Sequence, residues 1–135
     1  MKTKPVLTTL DTDRILLAAR AEAEAHQWAV SIAVVDDGGH LLGQIRLDGA
    51  APISAHIAPE KARTAALGQR ESKAYEDMIN GGRVSFLSAP HLQAMLEGGV
   101  PITVDGQVVG AVGVSGVRSD QDAQTARAGI AALLN

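Results

Sequence analysis

The residue order predicts an α+β fold, an antiparallel β-sheet with helices packed on it. Three observations carry this. The apolar stretches run helix, hairpin, helices, hairpin, helix, instead of alternating one strand with one helix. Each hairpin is marked by a glycine turn, Asp37-Gly38-Gly39 in the first and Asp105-Gly106 in the second. Only one Trp, one Tyr and one Phe occur in 135 residues, so Ala, Val, Leu and Ile must fill the interior and the elements must approach closely. A single domain spanning residues 1–135 with one core is expected for this length.

The elements follow in order. Thr8 or Thr9 caps a helix running to about His26, with Ile15, Ala19 and Ala23 on one face. Ala29 to Val35 is a β-branched run too short for a helix, and Leu41 to Leu47 returns from the glycine turn as its hairpin partner. A helix starts near Ser54 and is disturbed at Pro59, which removes an amide from its interior. Glu71 to Asn80 is helical and ends at Gly81-Gly82, where glycine can take the left-handed conformation of a C-cap. Phe86 to Glu97 lacks a clean period and reads as loop with at most one short strand. Val100 to Val104 and Gln107 to Val114 form the second hairpin about a type I′ turn. Ser119 with Asp122 makes a capping box for a last helix whose stripe is Ala123, Ala126, Ile130 and Leu133.

Composition excludes several classes of function. A formal charge of −3 supplies no basic field for nucleic acid, and aromatic stacking platforms are missing. Without cysteine there is no disulfide, thiolate metal site, cysteine nucleophile or covalent haem attachment. No run of residues has the length and apolarity of a signal peptide or membrane span, so a cytoplasmic protein without a membrane partner is expected. The glycines match neither G-x-G-x-x-G nor a P-loop, and no G-x-S-x-G elbow exists.

The residues with chemistry to offer gather after the first hairpin. Arg46 and Asp48 flank Leu47 and project to one side of an extended strand, where they can bind a small anion or pair with each other. Ser54, His56 and Lys61 follow, with Ser54 and Lys61 about two helical turns apart on a shared face. Gly98, Gly99 and Pro101 form a turn where backbone can be approached closely, although turn geometry alone also accounts for them. The four histidines, His26, His40, His56 and His91, have no spacing for a structural zinc site. His26 either enters a pocket or caps the first helix, His40 sits in the hairpin turn, and His91 belongs to the irregular segment.

The chain resembles the GlcG/HbpS family, which includes the C-terminal domain of PduO-type proteins and is associated with haem binding or degradation. The resemblance rests on V-V-D-D-G-G-H-L (34–41), I-R-L-D-G-A (45–50), S-A-H-I-A-P-E-K-A-R-T-A-A (54–66), G-G-V-P-I (98–102) and D-G-Q-V-V-G-A-V-G-V-S-G (105–116). Asp122 and Ala126-Arg127-Ala128-Gly129 complete it, and it extends over nearly the whole chain. Leu47 stands where the family usually has Met, and Pro59 where it has a helix-compatible residue.

The resemblance implies the profilin-like fold, assembly into homo-oligomers and a polar pocket for a carboxylated or tetrapyrrole ligand. With haem as cofactor, propionates would pair with Arg46 or Lys61, and the iron would meet His26, His56 or His91. Ligand contacts would come from Arg46, Asp48, Ser54, His56, Lys61, Gly98, Gly99 and Pro101. The rival expectation is a cofactor-independent isomerase, tautomerase or lyase of a catabolic pathway, with Arg46, His56 and Lys61 supplying base and oxyanion-stabilising cation. A third is a structural oligomer with an empty pocket.

Overall fold

In a computed structural model that describes residues 1–134, the first helix, α1 (Thr9–Ala25), begins at a reciprocal cap. The Thr8 hydroxyl accepts from the Asp11 amide at 3.2 Å, and the Thr8 amide donates to the Asp11 carboxylate at 2.8 Å. Ile15, Ala19 and Ala23 are fully buried on one face, as their spacing predicts. The strands β1 (Ser31–Asp36) and β2 (Leu41–Arg46) form the first hairpin. Its turn is held by the Asp36 carboxylate, which accepts from the amides of Gly38 and His40, each at 2.9 Å. The register runs from Ser31 opposite Arg46 to Val34 opposite Gly43, then shifts so that Val35 faces Leu41.

The second hairpin joins β3 (Gly99–Val104) to β4 (Gln107–Ser115). Asp105 and Gly106 both take positive φ, +50° and +76°, the type I′ turn expected of that pair. The four strands form one antiparallel sheet in the order β2-β1-β4-β3, so β1 and β4 are central. Residues 31–35 of β1 are buried without alternation, because both faces of the sheet are covered. Ile32 and Val34 join Ile15, Ala19, Ala126 and Ile130 in the main core beneath α1 and the last helix, α4 (Ser119–Leu134). Val35 and Ala111 face the other way, onto Ala62, Ala65 and Ala66 of α2 (Ser54–Gly68).

With so few rings available, α2 lies almost backbone to backbone on the sheet. A methyl group at Gly113 would overlap the Ala58 carbonyl and the Ala62 amide, and one at Gly99 would overlap the Lys61 carbonyl. Pro59 lies inside α2 without ending it. Its missing N–H leaves the carbonyl four residues back, that of Ala55, without its helical donor. The Gln44 side-chain amide reaches from β2 and donates to that oxygen at 2.8 Å. A side chain of the edge strand thus repairs the helix and ties the two elements together.

The helix α3 (Ser72–Asn80) ends at Gly81-Gly82 as expected, with the positive φ, +113°, at Gly82. Two local details differ from expectation. The irregular stretch contains a short 3-10 helix, Val84–Ser88, and no strand. It is held by Phe86 stacking on Tyr75 of α3, with ring centroids 4.9 Å apart, a contact no local period could reveal. At the start of α4, Ser119 and Asp122 do not form a box. The Ser119 hydroxyl donates to Glu97 at 3.1 Å, and Asp122 accepts instead from the Val117 amide at 3.2 Å.

The Gln44 repair can be tested by a double-mutant cycle. Gln44→Ala should lower stability by about 1 kcal/mol in the parent. In a Pro59→Ala background, where residue 59 regains an amide for the Ala55 carbonyl, the loss should be markedly smaller. Equal losses in the two backgrounds, measured by urea denaturation, would dismiss the compensation.

Candidate functional site

The end of β2 and the end of α1 meet over an open cleft of roughly 400 Å³. Arg46 is the last residue of β2; Leu47 stays tied to the sheet through its amide to the Val30 carbonyl at 2.9 Å, and Gly49, at φ +87°, turns the chain away. Arg46 and Asp48 both line the cleft and both are exposed. No ion pair forms between them. From α1 come Arg20 and Glu24, paired at 2.6 Å, and from the connection to β1 comes Trp28. The bond to Glu24, with a smaller contribution from Asp48, holds the Arg20 pKa above its ordinary value. Arg46 has no carboxylate partner among the described residues and is the free cation of the cleft.

Trp28 brings a neighbour with it. His26, the C-cap of α1, stacks on the indole with centroids 4.3 Å apart and planes 16° from parallel. Its Nε2 lies 3.4 Å from Glu22 and 3.5 Å from the side-chain amide of Gln124 in α4. The helix end is capped by the His26 backbone, whose amide donates to the Ala23 carbonyl at 3.2 Å, while the imidazole stacks on the indole that lines the cleft and is not itself part of the lining.

The remaining predicted residues are elsewhere. Ser54 is buried, its hydroxyl donating to the Ala51 carbonyl at 2.6 Å and meeting the Ser31 hydroxyl at 2.8 Å. Lys61 is only 3% exposed and Asp122 only 2%, and their side chains meet at 3.0 Å, with a second 3.0 Å bond from Lys61 to the Val114 carbonyl. Gly98, at φ +133°, leaves room for that ammonium: a Cβ there would sit 2.7 Å from Nζ. The close approach expected at Gly98 and Gly99 is thus made by α2 itself, and Pro101 lies half-buried in β3. His56 and His91 are exposed and line no part of the cleft, His91 with a φ of +65°.

The structure therefore joins Arg46 and Asp48 in one concavity, takes Ser54, Lys61, Gly98 and Gly99 into the interface of α2 with the sheet, and leaves His56 and His91 on the surface. Sequence reasoning overlooked Arg20, Trp28 and the partner of Lys61. The one tryptophan of the chain, two residues after a candidate histidine, was the available signal for the first two. Asp122 carried none, since its position reads as an ordinary helix cap. Burial pushes the Asp122 carboxyl above the usual carboxylate range, and the Lys61 ammonium pulls it only partly back. Among the described residues no three His, Asp or Glu side chains gather as a metal site, and no helix is long and apolar enough to cross a membrane.

A four-stranded antiparallel sheet with helices on both faces and an open cleft beside its edge strand defines the molecule as an α+β protein. The chain belongs to the family described as haem degrading protein HbpS-like, whose model matches residues 7–131. It is 58% identical over 115 residues to the protein GlcG of Escherichia coli K12, covering 85% of each chain. A double-mutant form of HbpS from Streptomyces reticuli superimposes with a TM-score of 0.87 at 33% identity, covering 97% of this chain and 89% of that one. The structure of a PduOC–haem complex does so with a TM-score of 0.85 at 30% identity, covering 95% of both.

The buried pair has a measurable signature. Lys61→Met should cost about 3–5 kcal/mol near neutral pH by stranding a buried carboxylate. Asp122 has its pKa raised in the folded state, so its contribution favours folding below the unfolded pKa and is lost as pH rises through the folded one. Removing Lys61 raises that pKa further, so the deficit should shrink on acidification. Lys61→Met combined with Asp122→Leu should recover most of the loss. A deficit independent of pH in denaturant titrations would contradict this account.

Proposed function

We propose that this protein binds a flat carboxylated ligand of the tetrapyrrole type, haem being the first candidate, in the cleft between α1 and β2. The observation that carries the reading is an unpaired guanidinium, Arg46, opening into the same concavity as an indole that is itself stacked on an imidazole. The ring would lie against Trp28. A propionate would accept charge-assisted hydrogen bonds from Arg46, and His26 would support the indole it stacks on. Bound haem would add a redox-active iron that no side chain of this chain supplies. The PduOC–haem complex and the family description support haem as the choice.

The open cleft would cover only part of so large a ring, so a second copy of the chain closing over the outer face belongs to the reading, as a homo-oligomer. The isomerase or lyase alternative gains nothing comparable. Of its three residues only Arg46 reaches the cleft, while Lys61 spends its charge on Asp122.

Haemin titration tests the proposal. Micromolar haemin should produce a shifted Soret band. Arg46→Gln should weaken binding about tenfold, the loss of one charge-assisted contact. Trp28→Ala, which removes the aromatic surface, should also weaken binding, while His56→Ala and His91→Ala leave it alone. No Soret change at micromolar haemin would remove haem as the ligand, and affinity untouched by Trp28→Ala would remove the indole as the surface it lies on.

A further inference from the structure

The charges around the cleft carry more information than affinity for an anion. The wall holds two guanidiniums and two carboxylates, of which Arg20 and Glu24 are joined at 2.6 Å. Arg46 and Asp48 are left, one on each side of Leu47, and neither has a hydrogen-bond or ion-pair partner among the described residues. Within the fold the Asp48 charge adds only a minor share to the field at Arg20, which Glu24 already holds. The turn after Asp48 is closed by backbone alone, the Ala50 amide donating to the Leu47 carbonyl at 3.1 Å, and Gly49 supplies the positive φ. An exposed carboxylate facing the cleft next to its one free cation therefore acts on whatever enters.

The effect depends on the ligand. A carboxylate arm that docks on Arg46 is held by opposite charge, but a second anionic arm on the same edge is brought toward Asp48 and repelled. An N–H or ammonium group at that place is instead accepted by the carboxylate. We infer that Asp48 is a specificity-determining residue: the cleft selects a flat ligand that offers one carboxylate to Arg46 and one hydrogen-bond donor to Asp48, and it discriminates against paired carboxylates. This rests on the cleft being the ligand site, and it deepens that reading, since haem itself must then turn one propionate out to solvent.

The test compares haemin, which has two propionates, with haemin in which one propionate is a primary amide. The parent protein should bind the monoamide about threefold to tenfold more tightly, the size expected for one exposed charge contact. Asp48→Asn should tighten haemin by a similar factor and leave the monoamide nearly unchanged, erasing the preference. In the parent, about 0.5 M salt should also shrink it, because the contact is exposed to screening. Asp48→Ser, which removes the charge without a new amide, should behave toward haemin as Asp48→Asn does. Haemin affinity unchanged or weakened in both Asp48 variants, with Arg46→Gln still weakening it, would overturn this inference and leave the cleft as the site. Haemin binding that ignores Arg46 as well would overturn the site together with the inference.

Discussion

Two opposite charges buried against each other, Lys61 on α2 and Asp122 on α4, set the arrangement of everything around them. Their 3.0 Å contact joins helices on opposite faces of the sheet past the end of β4, where the Val114 carbonyl takes a second bond from the ammonium. Such a pair adds little net stability, because taking both ions from water costs nearly what their attraction returns. It does penalise every arrangement that separates them. A slip of α2 along the sheet, or a shift at the start of α4, would leave an unpaired charge in the interior. The same requirement explains Gly98, whose missing side chain makes room for the ammonium.

Close packing follows from the same constraint. To carry Lys61 to Asp122, α2 must lie low on β3 and β4, and Gly99 and Gly113 permit this by presenting bare backbone. Alanines fill the thin layer between. The other face holds the larger apolar residues and most of the core. Pro59 is tolerated because β2 lends a donor from Gln44, so even the edge strand is tied to the helix.

With α2 fixed inward, the polar residues at its start have no concavity to enter. The open space lies on the other side of the sheet, where the chain leaves α1 at His26 and enters β1 past Trp28. There the strand that ends in Arg46 and the helix that ends at His26 set a cation, an acceptor and an aromatic surface around one cleft. The proposed flat anionic ligand and the proposed role of Asp48 both rest on this one cleft.

The α+β class, the two hairpins, the cap at Thr8, the type I′ turn at Asp105-Gly106 and the helix start at Ser54 were all legible in the chain. Each depends on a few neighbouring residues and on backbone preferences that act within one turn or one strand. The 3-10 helix at Val84–Ser88 was not legible, because a ring of α3 holds it. Arg46 and Asp48 could be named as site residues from their pattern, but their companions Arg20 and Trp28 come from a different element. Lys61 read as a candidate ligand contact or a solvated lysine. Its burial follows from a carboxylate 61 residues away that the fold brings to its side. Local chemistry thus specified the elements and most of their ends, whereas the destination of each charged group depended on long-range packing, since what a charge pays for burial is settled by the partner that meets it there.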